Sequence, residues 1–181
     1  RENVQKATGN RQHPSVGTSI FDRNLPMAIT GGITAQEYFR LGCYLYDLGL
    51  MLDDNRRLDS ANKQFYEAIR LSKLDSISFP ECYIQLGKSL MKTDNNVEAV
   101  EIFRQVIDDA KKYGKDARIR SEVYLYMGMA HAKNRNFSDA IDSLNIFLRQ
   151  SDNDDNADWI RKYIEFLKQQ KEDLILRTGK K

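Results

Sequence analysis

Few side chains in this 181-residue chain could do chemistry, and their spacing decides what kind. The chain has two histidines, His13 in a polar N-terminal segment and His131 inside a helical pattern. No His-Glu-x-x-His or Cys-x-x-Cys spacing occurs, and no glycine-rich loop follows a strand to cradle phosphate. A lone helical histidine packs far more often than it reacts. Asp152, Asp154 and Asp155 form an acidic run that could attract a cation. The run lacks the glycine and the distant glutamate of a calcium loop, so it reads as a solvated helix opening. The residues therefore point to a protein that is not an enzyme, with no cofactor and no metal.

A recurring apolar pattern carries the information that the polar residues lack. Tyr38, Leu41 and Gly42 are followed by Ala61; Tyr83, Leu86 and Gly87 by Ala99; and Tyr124, Met127 and Gly128 by Ala140. Gly87 to Ala99 and Gly128 to Ala140 are both intervals of 12 residues. Phe65, Phe103 and Leu144 lie one turn beyond each alanine, on the same helical face. Two antiparallel helices can pack closely where small residues let their backbones approach. Each such pair leaves an apolar face that only another pair can cover. The expected fold is all-α, built from stacked helical hairpins.

The pattern resembles the tetratricopeptide repeat, a unit of about 34 residues carrying aromatic, Leu-Gly, Ala, Phe and Ala positions. Residues 80–113 match through Pro80, Tyr83, Leu86, Gly87, Leu90, Ala99 and Phe103, with Val106 where the family prefers alanine. Residues 121–154 match through Tyr124, Met127, Gly128, Ala140 and Phe147, with His131 at a position that favours a large apolar residue. Residues 35–72 match through Tyr38, Leu41, Gly42, Leu45, Ala61, Phe65 and Ala68. The resemblance implies a right-handed α-solenoid of three helix-turn-helix repeats. Residues 34–178 would form this domain, with residues 157–178 as a C-terminal capping helix and residues 1–33 as an irregular segment.

Two departures from the regular period predict longer hairpins. Gly42 to Ala61 spans seven residues more than the other intervals, about two helical turns, which preserves the packed face. Its tip falls at Asp53 to Arg57. A second extension falls between Ile107 and Ile119, with a break near Gly114. Both read as length drift in a degenerate repeat. Thr34 followed by Glu37 predicts a capping box opening the first helix. In the last helix Trp159, Ile160, Tyr163, Ile164, Phe166 and Leu167 recur at steps of three and four, against a polar face of Arg161, Lys162, Lys168 and Lys171. Three prolines leave long helices unobstructed after Ala35.

Composition narrows the partners. Twenty-eight basic and 26 acidic side chains give a net charge of +2, with no footprint for nucleic acid. No apolar run reaches the length of a membrane span. Arg1 stands where an initiator Met would, which implies a processed chain or a piece of a longer one. The compartment stays open: cytoplasmic, or periplasmic if an export signal precedes Arg1.

In the family, the first helix of each hairpin builds the concave wall, at the second, fifth, ninth, twelfth and thirteenth positions of the unit. The resemblance carries these roles to Phe39, Cys43 and Tyr46, to Ile84, Lys88, Met91 and Lys92, and to Leu125, Met129 and Lys133. Members that clamp a C-terminal carboxylate place Lys and Asn at the fifth and ninth positions of the first repeat. Phe39 and Cys43 stand there, which disfavours that activity. Cys43 and Cys82 would be offset by roughly 9 Å along neighbouring helices, too far for a disulfide. The stripe suits an amphipathic helix or an extended apolar peptide, with the lysines meeting its acidic residues. An alternative filler is the chain's own segment bearing Val16, Ile20, Phe21, Leu25, Met27 and Ile29. The leading expectation is a protein-binding scaffold. The alternatives are a periplasmic or lipid-anchored bacterial envelope assembly factor, and a domain sensing a small hydrophobic ligand.

Overall fold

The computed structural model describes residues 32–74, 79–112, 121–150 and 157–179. They form seven α-helices with no strand among the described residues: α1 Ala35–Leu52, α2 Asn55–Leu74, α3 Pro80–Lys92, α4 Asn96–Lys112, α5 Ser121–Lys133, α6 Phe137–Gln150 and α7 Ala157–Thr178. All lie in one compact unit that starts at Ile33. The expectations for residues 1–31, for the break at Gly114 and for the acidic run 152–155 lie outside the described residues.

The helices begin and end for identifiable reasons. Thr34 opens α1 with the expected capping box: its hydroxyl accepts from the Glu37 amide at 3.3 Å, and its own amide donates to the Glu37 carboxylate at 2.8 Å. That donation holds the Glu37 carboxyl below its ordinary range. Pro80 starts α3 at a position where its missing N–H costs nothing. In all three hairpins the first helix ends in one geometry. Asp54, Asn95 and Asn136 donate backwards to the carbonyls of Gly49, Leu90 and His131, each at 2.9 Å. The preceding residues Asp53, Asp94 and Arg135 take the left-handed conformation, with φ of 50°, 58° and 61°. This is a Schellman-type stop repeated three times without a glycine.

Pairing follows the small residues. A Cβ added to Gly42 would lie 2.6 Å from the Phe65 ring, and one added to Gly87 would lie 2.5 Å from Phe103. At Gly128 the nearest atoms are Leu144 Cγ at 2.8 Å and the Ala140 carbonyl at 3.1 Å. The notch in the first helix is thus filled by the side chain one turn after the alanine. Ala61, Ala99 and Ala140 are themselves fully buried. The longer first hairpin reuses the device one heptad onward, where Gly49 faces Leu58 at 2.7 Å. Consecutive helices pack against each other from α1 to α7, so the architecture is a run of helical hairpins closed by a single helix.

Candidate functional site

Beyond these sequential contacts, α1 touches α3 and α3 touches α5. The first helices of the three hairpins therefore form one layer, and the residues expected to bind a partner lie on it. The hairpins are joined from both sides. Tyr66 of α2 donates its hydroxyl to Glu98 of α4, and the Lys73 ammonium sits 5.7 Å from the Tyr83 ring centre. The ring of Phe103 stacks on Tyr126 at 6.1 Å.

Part of the expected stripe is closed. Tyr46, Ile84 and Met91 are only 8%, 5% and 7% exposed and belong to the continuous core. Phe39 is half-buried, with its ring 4.8 Å from Phe79 and 6.0 Å from Phe65. It wedges the first hairpin against the start of α3. Phe79 caps α3 with φ −131° and ψ 62°, outside the helical region that the following proline disfavours. The open part is smaller: Cys43, Lys88, Leu125 and Met129 are half-buried, and Lys92 and Lys133 are exposed.

The three lysines differ in what they already hold. Lys133 donates to the Met91 carbonyl at 3.0 Å and lies 3.5 Å from Asp94, tying α5 to the end of α3. Lys88 lies 5.2 Å from the centre of the Tyr126 ring, a cation–π contact. Lys92 makes no ion pair among the described residues. Tyr126 escaped the sequence reading because it falls between the positions that define the repeat. Its only signal was an aromatic residue directly before Met127-Gly128.

In this layer burial favours the neutral forms of both thiols and of the histidine. Burial raises the Cys43 thiol, Asp47 adds to that and Lys88 opposes it. Cys82 is fully buried and donates to the Phe65 carbonyl at 3.5 Å. Burial, with Cys43 nearby, pushes its thiol up to about 12. Both cysteines are free thiols. His131 is 6% exposed, with Nδ1 unbonded and 3.9 Å from the Asp139 carboxylate. Burial holds its imidazole below 6.5, with Asp139 opposing. No group of three metal-ligating side chains occurs among the described residues, and no described helix is long and apolar enough to cross a membrane.

A separate open cavity of about 380 Å³ lies where the α5–α6 turn meets the end of α7, lined by Arg135, Asn136, Phe137, Lys171, Leu174 and Ile175. No protein-family model matches the chain and no curated protein matches it, so the functional reading rests on the helical layer and its side chains.

Proposed function

We propose that this chain is a non-catalytic scaffold of tetratricopeptide type, a right-handed stack of three hairpins, that binds an acidic amphipathic segment of another protein across α1, α3 and α5. The observation that carries this reading is the layer itself. Half-buried Cys43, Leu125 and Met129 lie on it with Lys88, exposed Lys92 and exposed Lys133. A partner would cover the apolar atoms and pair with Lys92, which holds no ion pair among the described residues. Reading the same layer as a small-ligand pocket has less support, because Tyr46, Ile84 and Met91 already fill the space such a pocket needs. An envelope assembly role would use this face in the same way.

Peptide display against the wild type, counter-selected with a Leu125→Glu, Met129→Glu double variant, tests the assignment. Both side chains are half-buried, so the double variant should remain helical by circular dichroism. The enriched peptides should be acidic and amphipathic and should lose binding to the variant at least tenfold. Enrichment of basic peptides, or of peptides indifferent to the double change, would contradict it.

A further inference from the structure

Helix α7 carries an apolar seam that the protein uses and, beside it, a second seam that is aromatic in its first half and polar in its second. Ile160, Ile164 and Leu167 are 0%, 5% and 1% exposed and close the stack against α6. Trp159, Tyr163, Phe166, Gln170, Asp173 and Arg177 follow one another at steps of four, three, four, three and four on an adjacent face, and none is buried. Trp159 and Phe166 are each 50% exposed. The three rings form a ladder, Trp159 on Tyr163 at 5.3 Å and Tyr163 on Phe166 at 6.2 Å, with interplanar angles of 12° and 15°. Arg161 pairs with Asp158 and Lys168 with Glu165, each at 2.7 Å, so those charges are satisfied within the helix. The side chains of Gln170, Asp173 and Arg177 make no hydrogen bond or ion pair among the described residues.

We propose that a second copy of this chain covers the outer seam, the two α7 helices running antiparallel about a two-fold axis between Phe166 and Gln170. The seam is complementary to its own reverse. In that register Trp159 faces the partner's Arg177, Tyr163 faces the partner's Asp173, and Phe166 faces the partner's Gln170. These are a cation over an indole, a phenol donating to a carboxylate, and an amide against a ring. A two-fold interface makes each contact twice. The 22 residues of α7 span about 33 Å. Aromatic side chains offer roughly 150–250 Å² each. With two rings half exposed and three polar stems added, the seam covers on the order of 500 Å² per chain. The total of about 1,000 Å² sits at the lower limit for specific association, so the dimer is weak and reversible.

Trp159 is the only tryptophan in the chain, so its emission reports on this seam directly. Sedimentation of the full chain over a concentration series should show a monomer–dimer equilibrium in the micromolar range, with a blue shift of the emission in step. Phe166→Arg should raise the dissociation constant at least tenfold while leaving the helical content unchanged. Arg177→Glu, at an exposed position far from the rings in its own chain, should raise it at least threefold, because only the antiparallel register brings that residue to Trp159. This variant decides the matter if Phe166→Arg fails to fold. A chain that stays monomeric to several hundred micromolar overturns the proposal, as does a dimer indifferent to Arg177→Glu. A monomer whose emission shifts only when a foreign amphipathic helix is added also overturns it and gives the seam to another protein.

Discussion

Gly87 has no side chain because Phe103 occupies the space where one would go. Alanine there gains about 1 kcal/mol of helix propensity. Its Cβ would also sit 2.5 Å from a fully buried ring. Overpacking wins, and Gly87→Ala should lower stability by about 1–3 kcal/mol in chemical denaturation. A variant as stable as the wild type would mean that the ring does not fill the notch. His131 gives a residue-scale prediction in pH. Burial is the main cause of its depressed pKa, Asp139 and Glu101 oppose the shift, and Arg104 reinforces it. The folded state thus binds the proton less readily than the unfolded chain, whose histidine titrates near 6.5. The stability present above that value is lost as pH falls through the window below it. His131→Leu should flatten the decline measured between pH 7.5 and 5.5. An equal decline in the variant would assign it to other groups.

At the scale of the element, the repeated helix stops were not legible in the sequence. Asp53, Asp94 and Arg135 take a backbone conformation that usually calls for glycine, and Arg135 has no side-chain ion pair that would compensate among the described residues. Arg135→Gly should therefore stabilise the protein by about 0.5–1 kcal/mol in thermal or chemical unfolding, since it relieves the left-handed backbone. A loss of stability would show that the arginine side chain contributes more than its backbone costs. The legible signals were local or strictly periodic: Thr34 with Glu37, the glycine-to-alanine intervals, and the apolar steps of α7. Periodicity finds an apolar face but does not say whether a groove or a neighbouring hairpin lies against it. The positions that the family resemblance carries over are equally silent on this; they put Tyr46, Ile84 and Met91 in the groove, and the three prove buried. Phe39 read as a groove residue for the same reason, since nothing in its own helix announces Phe79. Gly49 was passed over because the family pattern has one glycine per hairpin, while the longer α1–α2 pair repeats its notch one heptad on.

At the scale of the whole molecule, three hairpins share one continuous core, and their first helices meet in one layer. The binding proposal needs that layer, whereas the dimer proposal needs only α7, so either can fail without the other. The layer can be measured through spin labels on exposed positions of the three first helices, Asp47, Lys92 and Lys133, after replacement of Cys43 and Cys82. Packed helices lie 8–10 Å apart, so one step across the layer is about 10 Å and two steps about 20 Å between backbones. Pulsed electron resonance should place labels at 92 and 133 roughly one step apart, and those at 47 and 133 roughly two. A distance between 47 and 133 no longer than that between 92 and 133 would contradict a side-by-side layer of α1, α3 and α5.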